Sequence, residues 1–170
     1  MGHPLNIVMC EPLTWDSTTK VGSHHYAEQL AAMGHRVFWI SHDIHLPSLL
    51  RNPGSSPSRE VQRVGIHHDI LSWHPLVPLP FRNKPLLDTP LVAKLNRPFC
   101  RSTIRRVLKE HNFETIDILW LSQGYSSYLA LDTLNATTTF FRMSDNARAF
   151  REFPKTYAIL ERELMKRADV

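Results

Sequence analysis

The stretch that decides the fold runs from Leu5 to Ser41. It opens LNIVMC (residues 5–10), passes through a polar loop, and continues VGSHHYAEQLAAMGHRVFWIS (residues 21–41). Leu5–Cys10 is short, apolar and bounded by Pro4 and Pro12, which predicts a buried strand. Tyr26, Ala27, Leu30, Ala31 and Met33 recur at helical spacing, with Ser23 placed as N-cap and Gly34 where a left-handed C-terminal residue is wanted. Arg36–Ser41 predicts a second buried strand. A strand, a helix and a strand in this order and length form a right-handed parallel crossover.

Working outward, Ile116–Ser122 and Thr137–Arg142 read as two more strands, with a helix over Ser126–Leu134 between them and a last helix over Lys155–Ala168. In that last helix Ile159, Leu160, Leu164 and Ala168 are expected to face inward. Between Pro47 and Pro98 lie nine of the twelve prolines. There Arg59–Leu71 alternates enough for one or two strands. Pro75–Pro90 reads as a long irregular loop. Leu91–Asn112 is helical, with Pro98 expected to kink it or mark its start. Alternating strands and helices predict an α/β fold: one Rossmann-like domain over residues 1–170, a parallel sheet with helices on both faces. Ligands in such folds bind beyond the carboxyl ends of the strands, so Glu11–Ser23, Ser41–Pro57, Ser122–Ser127 and Met143–Arg151 are the loops of interest.

Composition narrows the class. The chain has 170 residues, 42% of them apolar and 21% charged, which excludes a disordered tail, a collagen and a coiled coil. Two cysteines make no disulfide framework and fit a reducing compartment. No apolar run is long enough to span a bilayer, and no signal-peptide pattern opens the chain. The formal charge of +4 favours an anionic partner or surface. Its densest part is Lys94–Lys109, with six lysines and arginines and no acid. Just before it come Trp73, Leu79 and Phe81. Together with Arg101, Arg105 and Arg106 these residues suit a membrane interface carrying anionic lipid. Nucleic acid is the weaker competitor, because aromatic interleaving of the RNA-binding kind is missing. A solvated helix face beside proline-rich packing is the plainest alternative.

Three residue groups carry candidate chemistry. At the start of the first helix, Gly22 and Ser23 offer backbone N–H groups to a phosphate or sugar oxygen, or make an ordinary cap. Neither a dinucleotide fingerprint nor a P-loop is present. Beyond the last strand, Asp145 is placed to accept a proton from a bound hydroxyl, with Arg142 and Arg148 near enough in sequence to keep it ionised. Capping of the next helix is the other reading of Asp145. Ten histidines raise the question of zinc, but adjacent pairs point apart and no Cys-x-x-Cys spacing occurs, so no metal site is expected.

Gly34-His35-Arg36-Val37 at the start of the second strand, and FFRMSDNARAF (140–150) leading to LERELMKRADV (160–170), resemble the N-terminal half of GT-B glycosyltransferases. The aspartate-bearing loop is most similar to bacterial exopolysaccharide enzymes, of which the membrane-associated glucuronosyltransferase of xanthan assembly is the nearest type. The resemblance implies one half of a GT-B fold and an inverting transfer from a nucleotide-sugar to a glycan or lipid-linked sugar acceptor. It implies Asp145 as general base, with Asp16 second. Trp15 would stack on a sugar ring, and Asp16, Gly22, Ser23, His24, His25 and Arg142 would hold the acceptor. The donor would be bound by a second domain expected past Val170, so no cofactor is expected here. The implied location is cytoplasmic, on the inner face of the cell membrane, with no nucleic-acid partner. The alternatives are a non-catalytic membrane-docking or scaffold module and an α/β domain that binds a nucleotide alone.

Overall fold

The structure is a computed structural model and describes residues 3–52, 54, 58–67, 69–82, 84, 86–143 and 156–170. Strand β1 (Asn6–Cys10), helix α1 (Gly22–Ala32) and strand β2 (Arg36–Ile40) form the expected crossover, with β1 and β2 paired in parallel. After β2 come β3 (Ile44–His45), α2 (Leu46–Arg51), β4 (Gln62–Val64), β5 (Ile70–Trp73) and β6 (Leu76–Val77). Helix α3 (Pro90–Glu110), β7 (Ile116–Ser122), α4 (Tyr125–Leu131), β8 (Ala136–Arg142) and α5 (Tyr157–Arg167) complete the order.

The main sheet runs β4-β5-β2-β1-β7-β8, parallel except for the β4–β5 hairpin at one edge. The chain builds outward from β1 to β2 and β5, then returns to place β7 on the other side of β1. The β1–β7 junction is therefore the topological switch point, the position beyond which ligands bind in open sheets of this kind. Beyond β8, the Val170 N–H donates to the Thr139 carbonyl (3.3 Å) and the Phe141 N–H to the Val170 carbonyl (2.9 Å). This is a parallel bridge opposite Phe140, and it covers part of the β8 edge.

Pleating divides the core. Val8, Cys10, Phe38, Ile40, Leu119 and Leu121 point to the side covered by α3, α4 and α5. Ile7, Met9, Val37, Trp39 and Ile70 point to the side where α1 presents Ala27 and Ala31. A central parallel strand is buried on both faces, which is why these segments read as continuous apolar runs. Helix α1 ends in a Schellman motif: the Gly34 N–H donates to Ala31 and the His35 N–H to Leu30, with Gly34 at φ +87°. Arg36 clamps the opposite, amino edge, donating to Asn6, His111 and Asn112 while lying over the Phe113 ring.

Several expectations are corrected. Val21, not Ser23, is the N-cap of α1. Met33 and Tyr26 are exposed, because the helix turns its smaller Ser23, His24, Ala27 and Ala31 to the sheet. In α5 only Leu160 and Leu164 are buried; Ile159 faces out and Ala168 lies past the last turn. Helix α3 runs through Pro98 without a break. That proline sits on the outer face, so the carbonyl it leaves unpaired lies on the water side. The proline-rich stretch holds β6, which pairs in parallel with β3.

The residues expected to face a membrane divide sharply. Trp73 and Phe81 are buried in the α3-side core, and Leu79 packs against it. The Leu79 backbone is bound at both ends by the Asn96 side chain (2.9 and 2.8 Å). They are loop anchors, not membrane contacts. Arg101, Arg105 and Arg106 are exposed, although Arg105 donates to the Thr133 carbonyl at 2.9 Å.

Candidate functional site

At the carboxyl edge of the switch point, Glu11 directly follows β1 and Ser122 ends β7. The Glu11 carboxyl is almost wholly buried, at 2% exposure. Its backbone N–H donates to Ile40, which fixes it at the β1–β2 seam, and the Ser122 hydroxyl donates to its Oε1 at 2.6 Å. From β8, Arg142 reaches back over the start of α1 and donates to the Ser23 hydroxyl at 2.8 Å. Its guanidinium lies over the Tyr26 ring and so close to Gly22 that a Cβ there would meet it at 3.4 Å. Trp120, flanked by Tyr26 and Phe140, forms the aromatic wall beside them. Strand ends and a helix start thus bring together a carboxyl, two hydroxyls, a guanidinium and an aromatic shelf.

Burial pushes the Glu11 carboxyl above its ordinary range, while the Ser122 and Ser23 hydroxyls, the Arg142 charge and the Trp120 indole pull it part of the way back. The indole nitrogen makes no hydrogen bond of regular geometry, so its pull is the weakest of these. The net result is a carboxyl shifted toward its protonated form, with burial the dominant cause.

The residues expected to bind an acceptor meet different fates. Arg142, Gly22 and Ser23 come together as described. Trp15 is buried, packed against both His24 and Trp39 with the Lys20 ammonium over its ring, so it offers no open face to a sugar. His24 is spent on structure: its Nδ1 accepts the Val21 N–H and its Nε2 faces the Thr14 carbonyl, each at 3.2 Å. It caps α1 and orders the preceding loop. Asp16 and His25 are exposed nearby. Asp145 and Arg148 lie outside the described residues. Among the described residues no cluster of histidine, cysteine, aspartate and glutamate can hold a metal. Both cysteines are free and buried, and burial pushes the Cys100 thiol up to about 12. An open depression of about 410 Å³ at the amino edge engages Arg105 and Lys109, which are already paired with Thr133 and Glu114.

The sequence contained Glu11 and Ser122 inside two of the loops singled out, but not their partnership, which joins positions 111 residues apart. A lone glutamate directly after an apolar strand was the available signal.

The titrating groups predict opposing pH effects. Burial lowers His24, His42 and His74 from 6.5, so the unfolded chain takes up protons first as pH falls. Their contribution to stability is present above about 6.5 and is lost below it. Glu11 is raised from 4.5, so its contribution is present below that value and is lost as pH rises through the folded value. Glu11→Gln removes only the second effect. Thermal midpoints measured between pH 4.5 and 8 should therefore favour the variant increasingly as pH rises; parallel curves would show that Glu11 ionises normally.

Set beside known proteins, the chain matches no family model and no curated sequence.

Proposed function

We propose that this domain binds the acceptor of an inverting glycosyltransferase, which moves a sugar from a nucleotide-sugar to a glycan or lipid-linked sugar. The observation that carries the reading is the polar cluster of Glu11, Ser23, Ser122 and Arg142 at the switch point of a parallel sheet. Arg142 and the start of α1 suit an anionic or hydroxyl-rich group, and Tyr26 and Trp120 suit the apolar face of a sugar ring.

Asp145 follows Arg142 by three residues in the sequence. In the proposed step Asp145 takes the acceptor hydroxyl proton as that oxygen attacks the anomeric carbon. The bond to the nucleoside diphosphate breaks on the opposite face, and the configuration inverts. A second domain supplies the donor site. The test is label transfer from nucleotide-sugars to membrane-extracted acceptors by the full-length protein, with the anomeric configuration of the product read by NMR. An inverted product supports the reading, and a retained configuration removes it.

Membrane attachment belongs to this proposal, with a changed surface. No helix described is long and apolar enough to cross a membrane. On the outer face of α3, however, Leu91, Leu95 and Phe99 are exposed by 60%, 55% and 41% at successive turns. Lys94 lies one turn past Leu91 on the same side of the helix, and Arg106 follows Phe99 on the same face two turns on. Apolar residues that insert shallowly, next to cations, suit a bilayer with anionic lipid. This surface also favours a second reading, a docking module without catalysis. Vesicles containing phosphatidylglycerol should retain the protein at low salt and release it as salt rises. A triple change of Leu91, Leu95 and Phe99 to serine should abolish retention. Equal retention by the triple variant would remove α3 as the contact.

A further inference from the structure

A second polar cluster stands on the same carboxyl edge, at the ends of β2 and β5. The Ser41 N–H donates to the Trp73 carbonyl and the Ile44 N–H to the Pro75 carbonyl, so the two chains leave the sheet side by side. This brings His42 and His74 edge to face, with ring centroids 5.3 Å apart. Asp43 turns inward to 9% exposure, and its Oδ2 stands 3.0 Å from Nδ1 of His45. Both atoms are buried and have no other partner among the described residues.

Hydrogen-bond logic fixes the His74 imidazole. Its Nδ1 faces the His42 carbonyl at 3.2 Å, and a carbonyl only accepts, so the neutral ring carries its proton on Nδ1 and keeps a lone pair on Nε2. Nδ1 of His45 is turned toward the Asp43 carboxyl, without the angles of a regular hydrogen bond. Among the described residues, the charged groups acting on His42 and His74 are Asp43, Asp16 and the neighbouring imidazoles. No lysine or arginine is among them. Burial lowers His74, and the partial desolvation of the more open His42 lowers it as well, so both resist protonation.

Such a cluster accepts hydrogen bonds and repels anions. Phosphate and carboxylate ligands are disfavoured there, in contrast to the Arg142 cluster. A metal is disfavoured too, because no three of the described ligands converge. The ligand class that fits is an uncharged compound rich in hydroxyl donors.

We propose that His42, His45 and His74, with Asp16, bind the hydroxyl groups of an uncharged saccharide unit, and that Asp43 positions His45 to accept one of them. The proposal rests on the acceptor-domain reading only for the role of that sugar as part of the acceptor. Binding is measured separately from transfer.

The experiment is imidazole ¹⁵N NMR on the protein at pH 7.5. His74 should show the Nδ1–H tautomer. Titration with the methyl glycosides of glucose, mannose and galactose, to about 100 mM as millimolar affinities require, should shift the Nε2 resonances of His45 and His74 saturably with at least one. Inorganic phosphate should not. His42→Gln, on the exposed ring, should weaken binding at least threefold. Asp43→Asn should change the His45 tautomer balance, with the β1 and β2 amide resonances unchanged as the check on folding. An Nε2–H tautomer of His74, no saturable shift with any glycoside, or a shift with phosphate instead overturns the proposal. Absent shifts would leave the Asp145 reading standing, and failure of that reading would leave the shifts in place.

Discussion

Asp145→Asn should lower turnover about 10²–10⁴-fold, the range that general-base catalysis contributes. Asparagine keeps the shape of the side chain but cannot take a proton, so the attacking oxygen must lose its proton to water. The loss should fall on kcat, with the KM for donor and for acceptor little changed, because the proton moves only in the transition state. Asp145 is proposed as the base on the resemblance and on its sequence position three residues past Arg142. Asp16, the second choice, is exposed in the loop before α1. Because it is also proposed to bind acceptor hydroxyls, Asp16→Asn should raise the acceptor KM and leave kcat little changed. If Asp145→Asn turns over normally while Asp16→Asn does not, the base is Asp16. If both turn over normally, the proposed mechanism is wrong.

The largest expected effect on stability comes from Asn96→Ala. Asn96 is fully buried, on the inner face of α3. Its carbonyl oxygen accepts the Leu79 N–H at 2.9 Å, and its amide donates to the Leu79 carbonyl at 2.8 Å and to the Tyr125 hydroxyl at 2.9 Å. One side chain thereby satisfies both backbone groups of a loop residue that no strand can pair, and joins α3 to α4. Truncation strips the half-buried Leu79 N–H and carbonyl of their partners, at up to about 1–3 kcal/mol for each group. Tyr125 keeps a longer bond to the Val92 carbonyl, so it loses less. The sum, about 3–5 kcal/mol, lies at the upper end for a single change. At about 2–4 °C per kcal/mol for a chain of this size, the thermal midpoint should fall by roughly 6–20 °C. Calorimetry showing a fall under 2 °C would mean that the loop is held by its apolar anchors Trp73, Leu79 and Phe81 alone.

Asn96 also illustrates what a sequence can and cannot disclose. The strands were legible because parallel strands buried on both faces must be apolar throughout, and Ile116–Ser122 matches its expected bounds residue for residue. Gly34 was legible because only a residue free to adopt positive φ closes a helix in that way. The pairing of β3 with β6 was not, since two-residue strands brought together across some thirty positions leave no periodic trace. Helix α3 hid its phase: composition drew the membrane face onto Trp73 and Phe81, whereas the turn of the helix exposes Leu91, Leu95 and Phe99. At the site, the right loops were indicated, but aromatic and imidazole side chains there are as useful for filling a helix entrance as for binding. Trp15 and His24 serve the first purpose. Glu11 was overlooked because its chemistry comes from burial against Ser122 and Arg142, and burial is a property of the assembled sheet edge.

The central claim is that the switch-point edge holds the acceptor, and Arg142→Gln tests it most directly. Arg142 touches Ser23 and Tyr26 but no core residue of the sheet among its described contacts, so the variant should fold normally. Steady-state kinetics of the full-length variant should show the acceptor KM raised at least about tenfold, the worth of one charge-assisted hydrogen bond, with the donor KM unchanged. An unchanged acceptor KM, or a rise confined to the donor, would contradict the account.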